Sequence, residues 1–340
     1  MTTQNEPILE IINLETHFPL DEGTVVAVNG ASFEVAPGQT LGIVGESGCG
    51  KSVAARSIMR ILDKPGEIVG GEILYRRNIG QEDEEVVDIA SMDSNSHEIR
   101  SIRGGEIAYV FQAPMTSFSP VHTIGNQMIE TIRLHQDIDK KGAEEIAIKA
   151  LTAVGIPLPE RRINDYSFQL SGGLRQRAMI AMTLVSNPTI LIADEPTTAL
   201  DVTNQAQLLE LMSELQKDNG MAIVLITHDL GVIAEMADHV SVMYLGEVVE
   251  SAPVDDIFHD PQHPYTKALL KSIPRIKSDS SERLASISGT VPHPYDRPKG
   301  CAFGPRCDSF MPGKCDSAIP VLKDTSATHQ VSCFLYGEGE

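Results

Sequence analysis

The chain has 340 residues, 41% of them hydrophobic, and a net charge of -20 from 47 acidic and 27 basic side chains. That length fits one large domain with an appendage or two modest domains, and the apolar content supports a sizeable core and argues against global disorder. So acidic a surface repels nucleic acid and anionic lipid headgroups at long range. No nucleic-acid partner is expected, and any membrane association is expected to run through a protein. The longest apolar runs, such as AIVLI at 222–226, fall far short of the roughly 20 residues of a spanning helix. The opening MTTQNEPILE has neither a basic n-region nor an apolar h-region, so the expectation is a chain that stays in the cytosol.

In chain order, PILEIINL (7–14) and TVVAVNGASFEV (24–35) read as strands, and TLGIV (40–44) as a short buried strand. A helix is predicted from Lys51 to about Leu62, stopped near Pro65-Gly66. Residues 71–111 read as short strands around an acidic stretch, GQEDEEVVDIASMDSNSHE, taken as a solvated loop. Residues 123–185 read as helical, with Ile146, Ala150, Leu151 and Val154 on one face. From 189 onward TILIAD, MAIVLIT and HVSVMYL read as strands, with helices starting near Thr203 and Leu230. Strands alternating with helices predict an α/β fold with a mostly parallel sheet covered on both faces. After about 265 the chain turns rich in Pro, Gly and Cys, marking a small appended module.

GESGCGKS fits G-x-x-x-x-G-K-[ST], with Gly45, Gly50, Lys51 and Ser52 at the fixed positions, between a predicted strand and a predicted helix. Glycines let backbone N–H groups converge on phosphate oxygens, and the helix start adds its positive dipole end. Lys51 would reach the β- and γ-phosphates, and Ser52 would ligate Mg²⁺. The run ILIADE at 190–195 ends in two carboxylates. An aspartate at the tip of a buried strand, here Asp194, can hold Mg²⁺, and Glu195 could polarise an attacking water. Adjacent acids at the end of a buried strand are costly without a counter-cation. These features predict a P-loop NTPase.

LSGGLRQR at 170–177 narrows the class. Alone, Ser-Gly-Gly before a helix could be an ordinary N-cap. Together with FQ at 111–112, TALD at 198–201 and ITHD at 226–229, in that order along the chain, it resembles the signature of ATP-binding-cassette (ABC) ATPases. The resemblance covers about residues 8–260. It implies a RecA-like parallel sheet core, an antiparallel β subdomain and a helical subdomain at about 113–185. It also implies that Gln112 senses Mg²⁺ and the attacking water, that His228 contacts the γ-phosphate and supports Glu195, and that Asp201 communicates between subunits. Residues expected to line nucleotide are Glu46, Ser47, Gly48, Cys49 and Val53 beside the four fixed loop positions, with Phe18 stacking on adenine. Ser171, Gly172, Gly173 and Gln176 would serve the nucleotide of the opposite subunit, so two cassettes would close head to tail on two ATPs.

Several stretches are similar to the ATPase subunits of oligopeptide and dipeptide importers, among them LSGGLRQRAMIAMTL, LIADEPTTALDVTNQAQLLELM and HPYTKALLKSIPR at 263–275. That resemblance divides the chain into a nucleotide-binding domain, 1–262, and a C-terminal module, 263–340. It implies an ATP-hydrolysing importer subunit on the cytoplasmic face of the inner membrane. The implied partners are a second ATPase subunit, two membrane permeases and an extracytoplasmic solute-binding protein. Two departures, Ala113 after the glutamine and Tyr166-Ser167-Phe168 before the signature, lie where the family faces its membrane partner. The alternative, a soluble ABC ATPase acting on nucleic acid or the ribosome, sits badly with one cassette, a compact helical insert and an acidic surface.

Four of the five cysteines, Cys301, Cys307, Cys315 and Cys333, crowd the last forty residues. In a reducing compartment such clustering argues for metal rather than disulfides. Four thiolates suit zinc or an iron–sulfur cluster, with unligated thiols as the remaining alternative. The resemblance to peptide-importer ATPases favours a 4Fe–4S cluster, which is expected to replace a hydrophobic core that this Pro- and Gly-rich segment lacks. Cys49, inside the phosphate loop, is not a fifth ligand.

Overall fold

The structure, a computed structural model, describes residues 6–112, 118–198, 200–272, 287–293 and 295–336. It has two compact units, one of residues 1–35, 40–91 and 227–340, the other of 36–39 and 92–226. These units divide the chain elsewhere than at 262/263.

In the first unit an antiparallel sheet runs in the order β2-β1-β4-β5, formed by β1 (Leu9–Leu20), β2 (Gly23–Val35), β4 (Glu67–Arg77) and β5 (Glu85–Asp88). Along β1 the buried residues are Leu9 and Ile11, then Leu14 and Thr16. The change of parity falls at a register shift between Ile11 and Leu14, where Asn13 adopts φ 48°. A bulge with an asparagine in the left-handed region keeps the apolar face inward on both sides of the shift. The same unit holds β3 (Thr40–Val44), parallel to β9 (His239–Tyr244), which pairs antiparallel with β10 (Glu247–Pro253). Every residue of β3 is buried, as expected of a strand covered on both faces. Gly42 makes room for α8 (Leu230–Met236): a Cβ there would lie 2.7 Å from Ile233 Cδ1.

In the second unit β6 (Ile107–Val110), β7 (Ile190–Asp194) and β8 (Ala222–Ile226) form a parallel array, with Ile107 opposite Ile190 and Ile190 opposite Ala222. Its helices are α2 (His97–Ile102), α3 (Ile124–His135), α4 (Lys140–Ala153), α5 (Pro159–Arg162), α6 (Gly172–Leu184) and α7 (Val202–Asn219). Most start on a polar cap that accepts from the backbone N–H three residues on: Ser96, Thr123, Asp139, Ser171 and Asp201.

Three local expectations change. Helix α1 (Lys51–Ile58) stops short of Leu62. Arg60 enters the left-handed region at φ 52°, and Ile61 N donates to Arg56 O at 3.0 Å, a Schellman-type ending with no glycine to announce it. The acidic stretch is partly ordered: β5 pairs with β4, and Glu84 and Glu85 meet Arg76 and Arg77 at 2.9 and 2.8 Å. On α4 the buried row is Ala143, Ala147 and Leu151, continued by Val154, while Ile146 and Ala150 are half-buried. The small alanines let neighbouring helices approach and move the face by one residue.

Candidate nucleotide site

The phosphate loop leaves the end of β3 and opens α1 in the first unit. Gly45 (φ 152°) and Gly50 (φ 98°) lie in backbone conformations that L side chains rarely adopt. A Cβ on Gly45 would strike Met243 O, and one on Gly50 would strike Ala27 O. The two fixed glycines are therefore needed both for conformation and for space. Gly50 is also the N-cap of α1 and offers no side-chain bond to the helix start, leaving that end to be served by something other than a capping side chain.

Lys51 is buried, and its ammonium donates to Gly45 O (2.8 Å), Glu46 O (3.1 Å) and Cys49 Sγ (3.6 Å). Burial pushes the Cys49 thiol up, partly opposed by Lys51. Ser47 and Gly48 are exposed, and Ser52 and Val53 half-buried. Thr227 N donates to Ile43 O at 3.3 Å. This lays the turn carrying exposed His228 beside the last residues of β3, and Asp229 closes that turn by capping α8 through Gly231 N at 2.8 Å. Phe18, half-buried on β1, packs its ring on Gly66, where a Cβ would lie 2.6 Å from Phe18 Cε1.

In the second unit Asp194 ends β7 with 1% exposure, and its Oδ2 accepts from Tyr109 OH at 2.9 Å. Glu195 follows at φ 48°, a left-handed conformation that costs free energy for a non-glycine residue. It is held by Glu195 N donating to Ile226 O (2.8 Å) and by Glu195 Oε2 accepting from Gln112 Nε2 (2.7 Å) and Thr198 Oγ1 (3.0 Å). Gln112 and Glu195, 83 residues apart in sequence, thus share a hydrogen bond.

Ser171 caps α6, accepting from Leu174 N at 3.4 Å. Ser171, Gly172, Gly173 and Asp201 line one open cleft of about 470 Å³ with Arg177 and Asn204. Asp201 caps α7 through Asn204 N at 3.0 Å, and its carboxyl is held below the usual range by that backbone bond and by the Asn204 side chain. Gln176 is not in the cleft. It is 1% exposed and donates to Pro196 O, bracing the turn after Asp194-Glu195 from inside.

The ABC transporter family matches residues 28–198, and the oligopeptide/dipeptide transporter C-terminal region matches residues 249–315. A putative peptide import ATP-binding protein of Brucella melitensis biotype 1 is 48% identical over 98% of both chains. The chain belongs to the ABC transporter family. The dipeptide transport ATP-binding protein DppD of Bacillus subtilis is 45% identical over 97% of this chain and 95% of that one. Among solved structures, the dimeric ATP-binding cassette MJ0796 in a post-hydrolysis state with ADP and phosphate aligns with a TM-score of 0.62 and 25% identity, over 72% of this chain and 98% of that one. The ABC ATPase fold is thereby confirmed. This ABC chain is an ATPase of the oligopeptide/dipeptide transporter branch.

Among the described residues no group of three or more His, Cys, Asp or Glu side chains is arranged to hold a metal ion, and the iron–sulfur expectation gains no support. Burial pushes the Cys301 thiol up to about 11, with Cys333 and Cys315 adding to it, and burial raises Cys307 and Cys333 as well. Such environments favour neutral thiols. The segment also has the core it was expected to lack. Phe303 packs edge-on against Tyr244 (5.3 Å between centroids) and tilted against Tyr265 (5.3 Å). Beneath them Glu250, fully buried, accepts from Gln262 N (2.6 Å), His263 N (2.9 Å) and His329 Nε2 (2.8 Å). Strand β12 (Gln330–Val331) adds to β10, and β11 (Lys323–Asp324) to β12.

Sequence reasoning missed Tyr109, Tyr265 and Arg306. Tyr109 could have been found from the pairing of β6 with β7, which sets it one strand from Asp194. The other two carry no local signal, because Arg306 reaches Glu46 across 260 residues. Of the departures, Tyr166 and Phe168 stack at 5.5 Å with Phe168 64% exposed, while Ala113 lies outside the described residues.

Proposed function

We propose that this chain is the ATP-binding and ATP-hydrolysing subunit of an ABC importer for peptides or related small solutes. The observation that carries the proposal is Glu195, held at the tip of a buried strand in a costly backbone conformation, with its carboxylate bonded to Gln112. Family membership supports the rest.

Gly45 to Val53 would wrap the phosphates through backbone N–H groups, Lys51 would turn from the loop carbonyls to the β- and γ-phosphates, and Phe18 would meet adenine. Ser52, Asp194 and Gln112 supply hydroxyl, carboxylate and amide oxygens, a donor set of the class that holds Mg²⁺. The ion, when bound, neutralises charge on the phosphates. Glu195 would orient and polarise the water, and His228 would hold the γ-phosphate. Ser171, Gly172 and Gly173, with Asp201 beside them, would close on the ATP of a second cassette.

The partners proposed are that second ATPase subunit, two permeases and an extracytoplasmic solute-binding protein. Among the described residues no helix is long and apolar enough to cross a membrane. The proposed place is the cytoplasmic face of the inner membrane, held there by the permeases, with exposed Tyr166 and Phe168 turned to them. Residues 1–262 would form the cassette, with 113–185 as its helical part, and 263–340 the C-terminal module.

Glu195→Gln keeps size and removes the charge. In the assembled transporter it should bind ATP, hydrolyse it about 10²–10⁴-fold more slowly, and accumulate closed, ATP-bound cassette pairs on size-exclusion chromatography. Near-normal phosphate release would refute the assignment. The finer reading of the C-terminal module, a 4Fe–4S cluster or zinc on Cys301, Cys307, Cys315 and Cys333, rests on their spacing and on resemblance alone. Anaerobic purification with iron, sulfide and zinc analysis tests it: about four irons and four sulfides per chain supports the cluster, one zinc the alternative. Metal-free protein with all four thiols alkylated in the native state removes both.

A further inference from the structure

We propose that Arg306, in the C-terminal module, is a positioning residue for ATP that sets the shape of the phosphate loop through Glu46. The inference rests on the reading of residues 45–52 as the ATP loop.

Glu46 is the second residue of that loop, and it is gripped at every polar group. Its carboxylate receives a two-pronged contact, Arg306 Nη1 to Oε2 at 2.6 Å and Nη2 to Oε1 at 3.0 Å. Its backbone N–H donates to Tyr265 OH at 2.8 Å. Its carbonyl accepts from Lys51 Nζ at 3.1 Å. A continuous chain therefore leads from the C-terminal module through one loop residue to the ammonium assigned to the phosphates.

Arg306 is itself fixed. Its side chain is 4% exposed against 25% for Glu46. Nε donates to Ser288 O at 3.0 Å, and Nη1 also reaches Tyr244 OH at 3.3 Å. The guanidinium lies over the rings of Tyr244 and Phe303, at 5.8 and 5.9 Å from their centroids. Only a planar fork with five donors meets the two carboxylate oxygens, the carbonyl and the phenol together. A surface ion pair would contribute little, but this one is largely withdrawn from water and braced on its far side.

The loop needs such bracing. Gly45, Gly48 and Gly50 leave its backbone permissive. A loop that must present several N–H groups at once binds more tightly when its shape is set beforehand. Arg306 also sits in the 3₁₀ turn Gly304–Arg306, directly before Cys307. Any chemistry at that cysteine thus lies one residue from the brace.

The test is a double-mutant cycle in the full-length chain, read by titration with a fluorescent ATP analogue and, in parallel, by thermal unfolding. Arg306→Ala and Glu46→Gln should each weaken nucleotide binding about tenfold, the weight of one charge-assisted pair. The double variant should be no weaker than the worse single one. Arg306→Lys, which keeps the charge and loses the fork, should fall between wild type and Arg306→Ala. Unchanged affinity in Arg306→Ala with a lowered unfolding temperature would overturn the proposal and leave Arg306 as a fastener of the module. Fold-changes that multiply in the double variant would overturn it too. Should Arg306→Ala fail to fold, the cycle of Arg306→Lys with Glu46→Gln reads the same coupling. Lys51→Ala separates the two readings: if it leaves binding intact, the ATP-loop assignment itself is wrong. If it abolishes binding while Arg306→Ala does nothing, only the positioning role fails.

Discussion

The phosphate loop and the signature turn both carry glycines and both open a helix, yet they are held in opposite ways. In the first, Gly45 and Gly50 occupy left-handed or related conformations against neighbouring carbonyls, no side chain caps the helix, and Glu46 is clamped by Arg306 and Tyr265. In the second, Ser171 has an ordinary extended conformation at φ -62°, caps its helix with its own hydroxyl, and is followed by Gly172, around which a Cβ would find open space. On the proposed reading, a permissive glycine loop braced from outside is preorganised for a ligand of its own. On the same reading, a conventionally capped turn facing an open cleft would meet something brought to it. That contrast would, on the proposed reading, reflect a cassette whose two nucleotide-facing parts serve different ATP molecules.

Ser171→Arg breaks the contrast most severely. A long cation at the helix start should fill the cleft and stop closure, so ATP hydrolysis by the assembled transporter should drop at least about 10²-fold, the scale on which loss of one positioned group acts. Nucleotide affinity of the isolated chain should stay within about twofold. Phosphate release and fluorescent-nucleotide titration measure the two effects separately. Loss of ATP binding by the isolated chain would mean that the signature serves its own nucleotide.

The first half of the contrast was legible in sequence, the second only in part. Loop glycines, the buried strand before them and the Asp-Glu pair are local features, and each was found where periodicity and spacing put it. What escaped were contacts between distant segments. The Arg306–Glu46 pair and the Tyr109–Asp194 bond depend on which strands and turns become neighbours, and no window of a single sequence contains that information. The aromatic nest of Tyr244, Tyr265 and Phe303 escaped for the same reason. Phe303 is followed directly by glycine and proline, and its partners lie far away in sequence, so the C-terminal segment read as lacking a core. The end of α1 escaped for a different one: Arg60 adopts a conformation that sequence reasoning reserves for glycine.

Tyr109→Phe sharpens the comparison on the side of the acids. The phenol donates to buried Asp194 Oδ2. Its removal keeps the ring and its packing on Phe111 at 4.6 Å, and takes one hydrogen bond from a carboxylate assigned to Mg²⁺. A bond to a charged group is worth about 1.5–3 kcal/mol, partly regained if water replaces the hydroxyl. Hydrolysis at limiting Mg²⁺ should therefore fall about fivefold and recover at high Mg²⁺, while ATP affinity without the metal should not change. An equal loss at every Mg²⁺ concentration would place Tyr109 in the packing of β6 alone.

The smallest effect at neutral pH comes from His263, which belongs to the bracing side of the comparison. It caps α9 (Pro264–Lys271), its Nδ1 accepting from Tyr265 N at 3.0 Å, and so fixes the start of the helix that carries the Tyr265 hydroxyl to Glu46. Burial, with Lys267 adding to it, lowers its pKa to about 3 from an ordinary 6.5. A depressed pKa in the folded state means that the unfolded chain takes up the proton first. The stabilisation is then complete above about pH 6.5 and is lost as pH falls toward 3, at up to about 1.4 kcal/mol per pH unit for this one group. His263→Asn retains an acceptor for the cap and does not titrate. Urea midpoints should be nearly equal at pH 7.5, and the wild-type midpoint should fall more steeply than the variant's between pH 6.5 and 4.5. Because the folded imidazole stays neutral down to about pH 3, the cap under Tyr265 is intact over this interval, and the nucleotide affinities of folded wild type and variant should not diverge there. Parallel slopes for the two proteins would show that other groups carry the acid sensitivity and that burial does not depress the His263 imidazole as assigned.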